Sequence, residues 1–443
     1  MSSTPCRSAG PLSLATAVAL AAGSAHAATI TVTAGGDSGT SATCTLRQAI
    51  AVVTATATTN TGCVSSGAAF GTDDTIVFDA AAVSSASVVS LSQGELSVLS
   101  LAAPLTIQGS GQTIDAGGLS RVLYAKSTTL TISSLTLTGG AAHYGGGVYT
   151  TSSTVTLTNS TVSGNYAVNE GGEGGGVWAK SSTVTLTNST VSDNHADFLS
   201  KGGGVYANGG TLTVTSSIVS GNSAFSGGGV YVDGGGAYAE GCTLTLTSST
   251  VSGNSANYGG GVSAGTVTLN NSTVSGNFAA QHGGGMSATT VTLYNSTVSG
   301  NSADYEGGVL AAIVTLSNTI LSGNTAVKSH PDLLIASAIP AGATYSLLGT
   351  ELDTLPYNTS GNHNIFSDSP GLGALAGNGG LTQTMALLSG SPAINAGSNA
   401  LTPVETQYDQ RGAGYSRIGD GTVDIGAFEL HDWIFANDFD FGP

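Results

Sequence analysis

A short pattern of alternating apolar and polar residues recurs along the middle of the chain. Its clearest copy is Ser153–Asn165, with the sequence Ser-Thr-Val-Thr-Leu-Thr-Asn-Ser-Thr-Val-Ser-Gly-Asn. Seven copies end on an asparagine, namely Asn165, Asn194, Asn222, Asn254, Asn277, Asn301 and Asn324. Successive final asparagines lie 29, 28, 32, 23, 24 and 23 residues apart. A period of this length predicts a solenoid of stacked turns, in which the longer intervals carry looped-out insertions.

Three columns of the repeat are apolar in every copy, at the third, eighth and tenth positions before the final asparagine. In the first copy these are Val162, Leu157 and Val155, with threonines between them. Alternation with a period of two predicts a half-buried β-strand. A second strand is predicted after each glycine run, starting at Val148, Val177, Val205, Val230, Val262, Met286 and Val309. We therefore predict an all-β fold, a right-handed parallel β-helix that resembles the pectin-lyase-like solenoids.

Polar residues also fall in columns. The sixth position before the final asparagine is occupied by Asn159, Asn188, Ser216, Ser248, Asn271, Asn295 and Asn318. Because buried polar groups at bends need partners, we expect asparagines stacked from turn to turn to form hydrogen-bonded ladders. The predicted ladder residues are Asn159, Asn165, Asn188, Asn194, Asn222, Asn254, Asn271, Asn277, Asn295, Asn301, Asn318 and Asn324.

The pattern divides the chain into segments. Residues 1–27 have the features of a secretory signal peptide, with Arg7 before an apolar stretch and Ala25-His26-Ala27 as the cleavage site. The remaining segments are an N-terminal cap with the first turns at 28–104, the β-helix at 105–366 with its regular repeats at 141–324, a C-terminal cap at 367–430 and a tail at 431–443.

The N-terminal cap begins with a recognisable motif. The segment Cys44-Thr-Leu-Arg-Gln-Ala-Ile50 resembles the CSLREA motif of a family of secreted bacterial β-helix proteins, with Thr45 and Gln48 in place of Ser and Glu. Apolar spacing predicts a short amphipathic helix with Thr43 as its N-cap, covering the open end of the solenoid. Cys44 and Cys63 are close enough in sequence to form a disulfide in an oxidising compartment.

Two further resemblances involve the repeats and the C-terminal cap. Glycine runs such as Gly145-Gly-Gly-Val-Tyr149, together with the Val-Ser-Gly-Asn endings, resemble polymorphic outer-membrane protein repeats. The series Asn378-Gly-Gly-Leu-Thr, Ser391-Pro-Ala-Ile-Asn, Asp409-Gln-Arg-Gly and Asp424-Ile-Gly-Ala-Phe-Glu resembles the choice-of-anchor Q domain of surface and secreted proteins. These resemblances imply a protein that is secreted, extracellular or on the outer cell surface of a bacterium.

Charge narrows the possible partners. Nine Lys and Arg against 26 Asp and Glu give a net charge of -17, which disfavours nucleic acid and anionic membranes. After the signal segment, no run reaches the roughly 18 apolar residues of a transmembrane helix. We expect a monomer whose partner is an extracellular polysaccharide or another cell-surface ligand.

An enzymatic function is the alternative to this binding role, because many parallel β-helices are polysaccharide lyases or glycosidases. A glycosidase needs two acids roughly 5–9.5 Å apart, and the candidate acids on adjacent turns are Glu170, Glu173, Asp193 and Asp197. A lyase acting on acidic sugars needs basic groups, yet Lys180 and Lys201 are the only ones between residues 127 and 327. The same acids are otherwise solvated loop charges or calcium ligands, and we expect no other cofactor.

The favoured prediction is a non-catalytic β-helix that serves in adhesion or in binding extracellular polysaccharide. One alternative is a lyase or glycoside hydrolase. Another is ice binding, because outward threonines such as Thr154, Thr156 and Thr158 recur in columns that resemble those of ice-binding β-solenoids, although Asn270 and Tyr294 interrupt one column.

Overall fold

The computed structural model describes residues 27–55, 62–67, 70, 72–233, 243–335, 342–350, 362–404, 406–419 and 421–431. The predicted signal segment, apart from Ala27, and the tail beyond residue 431 lie outside these ranges. Among the described residues no helix combines the length and the apolar character needed to cross a membrane.

The widest face of the solenoid is a 20-stranded sheet, which contains two files of strands. The first file comprises Leu96–Leu99, Leu123–Lys126, Val148–Thr151, Val177–Lys180, Val205–Asn208, Val230–Asp233 and Leu333–Ile335. The second comprises Thr29–Val32, Asp74–Phe78, Leu105–Gln108, Thr129–Ser133, Thr154–Thr158, Thr183–Thr187, Thr211–Thr215, Thr243–Thr247 and Gly342–Thr344. Three long strands, Val262–Asn270, Met286–Tyr294 and Val309–Ser317, continue both files, and Ser65–Ser66 pairs antiparallel to the first strand. We call this sheet the wide face.

A second sheet of 12 strands forms the narrow face. Its strands are Val88–Ser90, Thr113–Asp115, Thr136–Thr138, Thr161–Ser163, Thr190–Ser192, Ile218–Ser220, Thr250–Ser252, Thr273–Ser275, Thr297–Ser299, Ile320–Leu321, Leu347–Leu348 and Ile365–Phe366. Two small sheets form the third face, with strands Ala141–Ala142, Tyr166–Ala167, His195–Ala196, Ser255–Tyr258, Phe278–His282, Ser302–Ala303 and Thr325–Ala326.

Like residues of successive turns lie directly above one another. Val155 pairs with Val184 and Leu157 with Leu186 in a parallel register, and all four side chains are buried in one continuous apolar core. The apolar columns read from the sequence thus point inward, and the prediction of a right-handed parallel β-helix is confirmed.

The glycine runs are required by the close approach of neighbouring turns. Gly174 has a φ of +67°, a left-handed conformation that glycine adopts without steric cost. A Cβ atom on Gly176 would lie 2.6 Å from the carbonyl oxygen of Gly204 and 2.9 Å from the side chain of Asn194. Both atoms belong to neighbouring parts of the stack, so a larger residue would push the turns apart.

The final asparagines form a buried ladder inside the solenoid. The Asn194 Oδ1 atom accepts hydrogen bonds from both the backbone N–H and the Nδ2 group of Asn165, each 3.0 Å long. The same arrangement repeats through Asn222, Asn254, Asn277, Asn301 and Asn324. Asp332 ends the ladder by accepting from Asn324 at 2.8 Å.

The second predicted asparagine ladder is wrong for most of its members. Asn159, Asn188, Asn271, Asn295 and Asn318 have φ angles between 44° and 56°, a left-handed turn that asparagine tolerates. This backbone turns the side chains of Asn159 and Asn188 into solvent. Among these five, one pair bonds side chain to side chain within the described residues, Asn318 to Asn295 at 3.1 Å.

The residue that follows each of these positions makes the ladder instead, and it is a serine in every copy except the last, where it is Thr319. The Ser160 N–H donates to Ser189 Oγ at 3.1 Å, and the Ser189 N–H donates to Ser217 Oγ at 3.0 Å. The series continues through Ser249, Ser272 and Ser296. The hydroxyls therefore provide the turn-to-turn bonds that we predicted for the preceding asparagine column.

A helix, Leu46–Ala55, lies at the N-terminal end and packs on the first strands of the wide face. Its N-cap is Thr45 and not Thr43 as predicted, because Thr45 Oγ1 accepts from the Gln48 N–H at 3.3 Å while Gln48 Oε1 accepts from the Thr45 N–H at 3.0 Å. This reciprocal pair is a capping box. Cys44 and Cys63 form a disulfide beside it.

The C-terminal segment lies along the side of the solenoid. It contains a hairpin, Leu372–Ala376 with Thr384–Leu387, and a 3-10 turn at Asn399–Leu401. Gln410 hydrogen-bonds to Thr250 and Thr273, and the Ala427 N–H donates to Thr297 Oγ1. The segment thus covers the narrow face of the later turns, whereas the sequence predicted only a C-terminal cap at 367–430.

Candidate functional site

The four acids predicted as catalytic candidates differ in their surroundings. Glu170 and Asp193 are exposed to solvent, and Asp193 has a φ of 55°. Asp197 accepts a hydrogen bond from the Asn169 N–H at 3.1 Å and lies 3.4 Å from His195. These three acids therefore belong to solvated turns.

Glu173 occupies a more shielded position. It forms parallel bridges with Tyr144 and Lys201 on the neighbouring turns, and its Oε2 atom accepts from the Trp178 indole N–H at 3.1 Å. Burial raises the pKa of Glu173 above its ordinary value, although the hydrogen bond from Trp178 and the charge of Lys201 oppose the shift. Glu173 is therefore the one candidate acid that lies in a structured site.

Aromatic side chains surround Glu173 on the outside of the wide face. The first aromatic strip consists of Tyr124, Tyr149, Trp178, Tyr206 and Tyr231, each the outward second residue of a first-file strand in five consecutive turns. Successive ring centroids are 4.9, 4.7, 6.1 and 5.4 Å apart. The signal in the sequence was the aromatic residue after four of the Gly-Gly-Gly-Val runs, although the fifth run is followed by Ser263 and Tyr124 follows no such run.

The first aromatic strip is partly buried and has an exposed rim. Trp178 and Tyr206 are 5% and 1% exposed, whereas Tyr144, whose ring centroid lies 5.1 Å from that of Trp178, is 37% exposed. Stacked rings also support one another, because such pairs contribute about 0.5–1.5 kcal/mol beyond the area they bury. The strip is therefore a rigid surface with its accessible part at the rim.

Charged groups accompany the strip. The Arg121 guanidinium lies 4.7 Å from the Tyr149 ring centroid and pairs with Glu95. Lys201 lies 4.9 Å from the Tyr231 ring centroid and 3.3 Å from an Asp233 carboxylate oxygen. Burial acts to lower the pKa of Lys201, but Tyr231 and Asp233 outweigh it, so that the pKa is raised and the side chain stays charged.

A second aromatic strip follows the turns between the third face and the glycine runs. It consists of Phe198, Phe225, Tyr258, His282 and Tyr305, with ring centroids 6.1, 5.8, 6.0 and 4.7 Å apart. Phe198 is 70% exposed at one end. A single file of parallel bridges connects Tyr144, Glu173, Lys201, Ser226 and Tyr258. This file joins the two strips along one side of the rod.

Threonines form the outer surface of the second file of the wide face. The central file holds eleven in register, namely Thr29, Thr75, Thr106, Thr131, Thr156, Thr185, Thr213, Thr245, Thr268, Thr292 and Thr315. From Leu105–Gln108 to the long strand Val309–Ser317, the second-file segments contain no charged residue. This surface is regular and uncharged.

The described residues include no group of three or more His, Cys, Asp or Glu side chains placed to hold a metal ion. Calcium ligation by the candidate acids therefore has no geometric support in the described part of the chain.

The family-model match agrees with the architecture. Residues 108–279 match the family model described as a right-handed β-helix region. A search of curated proteins gave no match. Among solved structures the chain is similar to one titled "Crystal structure of pectate lyase Pel9A", with 14% identity over 90% of this chain and 96% of that one and a TM-score of 0.45.

Proposed function

We propose that this protein binds extended extracellular polysaccharide along the aromatic side of its rod and does not transform it. The observation that carries the proposal is the pair of aromatic strips, which place a ring on one turn after another. A solenoid repeats each surface position about every 4.8 Å, and a linear polymer repeats its own units, so successive sugars meet equivalent side chains. Rigid aromatic rings provide contact area at low conformational-entropy cost.

The acids support binding more than catalysis. A glycosidase places two carboxyl groups across one bond, but Glu170 and Asp193 are solvated on turns and only Glu173 lies among the rings. The hydrogen bond from Trp178 gives Glu173 a positioning role within the strip. A lyase or glycoside hydrolase of this fold remains the alternative, and it predicts product release.

The test is a retention and turnover assay against a panel of polysaccharides. We expect retention without release of reducing or unsaturated ends. Tyr144→Ala and Phe198→Ala remove exposed rings, and together they should weaken binding about ten-fold or more, as expected for aromatic anchors. Phe366→Ala is the matched control, because that ring is 40% exposed on the narrow face.

If the Tyr144→Ala and Phe198→Ala variants retain polysaccharide as strongly as the unaltered protein does, the aromatic site is refuted. Product release by the unaltered protein would instead establish the enzymatic alternative.

We also propose export and residence outside the cell, together with membership of the CSLREA and choice-of-anchor Q class with polymorphic outer-membrane protein-like repeats. The capping box supports this, since Thr45 and Gln48 keep the pairing that Ser and Glu of the motif would make. The disulfide also supports it, because disulfides persist in oxidising compartments. Cell fractionation tests the proposal, and a protein found only in the cytoplasm would contradict it.

Ice binding is a second candidate function, favoured by the eleven in-register threonines of the wide face. Thermal hysteresis of the purified protein tests it. Thr213→Tyr, in the middle of the central file, should abolish any hysteresis, whereas Thr161→Tyr on the narrow face should leave it unchanged. Absence of hysteresis in the unaltered protein would end this candidate.

A further inference from the structure

We propose that the polysaccharide is anionic and that its acidic groups bind in a groove at the bend between the two files of the wide face. This inference rests on the proposed function and specifies its ligand class. It follows from two features of the bend, which are the polar groove that it forms and the placement of two lysines beside that groove.

The bend forms a polar groove of about 500 Å³, which we call the corner groove. Ser127, Ser152 and Ser181 line it on three successive turns, with φ angles of 49°, 50° and 47°. The left-handed backbone makes the chain turn sharply between the two strands of each turn. Serine and threonine hydroxyls on consecutive turns consequently line one continuous depression along the rod.

Two lysines directly precede serines that line the corner groove. Lys126 directly precedes Ser127, and Lys180 directly precedes Ser181. They lie in one register file separated by Thr151, which places their Cα atoms about 9.6 Å apart at two strand spacings. Both are exposed.

These lysines differ from every other basic side chain in the described part of the chain. The other six described Lys and Arg residues each lie within 4.0 Å of a carboxylate, in the pairs Arg47–Asp37, Arg121–Glu95, Lys201–Asp233, Lys328–Asp304, Arg411–Asp409 and Arg417–Glu429. Neither Lys126 nor Lys180 has such a pair among the described residues. In a chain with a net charge of -17, two lysines without an acid partner at one groove indicate an anionic ligand.

The corner groove and the first aromatic strip can engage one polymer. Tyr124 and Trp178 precede Lys126 and Lys180 by two residues on the same strands, so ring and ammonium lie side by side on the same face. A chain lying parallel to the rod axis would contact the half-buried rings of Tyr124 and Tyr149 along one edge and present acidic groups to the lysines along the other.

The experiment compares three polymers, namely alginate as a carboxylate, dextran sulfate as a sulfate and uncharged dextran, at low and high salt. We expect binding to at least one anionic polymer and weaker binding at high salt, because exposed charges are screened. The double substitution Lys126→Gln with Lys180→Gln should weaken anionic binding on the order of ten-fold, equivalent to about 1.4 kcal/mol. Lys328→Gln is the control, being an exposed lysine already paired with Asp304.

Retention of dextran alone, or equal anionic binding by the double variant and the unaltered protein, would overturn the anionic assignment while leaving the proposed function in place. Retention of no polymer in this set or in the wider panel would overturn both. Preference for alginate or for dextran sulfate identifies the acidic group.

Discussion

At the residue scale, a stack of identical turns makes each polar side chain the partner of its own copy above and below. Asn222 shows the consequence. Its Nδ2 group donates to the Val191 carbonyl at 3.0 Å and to Asn254 Oδ1 at 2.9 Å, while its own Oδ1 accepts from Asn194. One buried amide therefore satisfies groups on both neighbouring turns.

We predict that Asn222→Ala lowers the free energy of unfolding by about 2–4 kcal/mol, because it leaves several buried groups without partners. Asn188→Gly is the control, since Asn188 is exposed at a φ of 49° that glycine also adopts, and its effect should stay within about 0.5 kcal/mol. Urea denaturation measures both. Equal effects of the two substitutions would show that the interior ladder does not stabilise the stack.

The same scale explains why our ladder assignment was only half right. The sequence shows that Asn159 and Ser160 are both polar, but it does not show which of them adopts the left-handed conformation. The structure gives that conformation to Asn159, so its side chain leaves the interior and Ser160 takes the ladder position.

At the element scale, the N-terminal helix begins with a reciprocal pair of hydrogen bonds. We predict that Thr45→Val, which removes the capping hydroxyl, destabilises the helix by about 1 kcal/mol. Thr43→Val should have less than about half that effect, because Thr43 bonds only to Thr40 in an exposed turn. Amide hydrogen exchange of the helix measures the difference. If Thr43→Val destabilises the helix more than Thr45→Val does, Thr43 is the N-cap and Thr45 is not.

The strands illustrate what patterning can and cannot predict. The alternation around Leu157 fixes which residues face the core, because a strand has a side-chain period of two. The same alternation assigns Tyr149 and Trp178 to the outside, yet it does not indicate that they stack on one another. That contact depends on the register between turns separated by an insertion, and the structure supplies the register.

At the scale of the whole molecule, the C-terminal segment joins distant parts of the chain. Gln410 lies 160 residues from Thr250, to which it hydrogen-bonds at 2.9 Å. No local pattern predicts such a contact, so we predicted only a C-terminal cap, whereas the segment lies along the narrow face. The side chains that make this contact are polar, and charged side chains of the C-terminal segment are buried beside them.

From those buried charges we predict that the attachment of the C-terminal segment depends on pH. Burial raises the pKa of Glu429 to about 7, while Arg417, 3.2 Å away, opposes the shift. The charged groups around this pair are Asp409, Arg411 and Asp424. An acid whose folded pKa is raised from 4.5 binds its proton more tightly when folded than when unfolded. Its contribution is therefore fully favourable below pH 4.5 and is lost as the pH rises to about 7.

We predict that the stability of the C-terminal segment falls by up to about 3 kcal/mol across that window, since each pKa unit corresponds to about 1.4 kcal/mol. Glu429→Gln keeps the shape of the protonated side chain and should remove this slope. Asp304→Asn is the control, because that acid lies on the surface beside Lys328. Urea unfolding, monitored by amide hydrogen exchange at Ile425 and Phe428 from pH 4.5 to 8, measures the pH dependence of stability in the unaltered protein and in both variants. A stability that rises with pH across the window would show that Glu429 is held ionised by Arg417, and the buried pair would then act as a lock that acid opens.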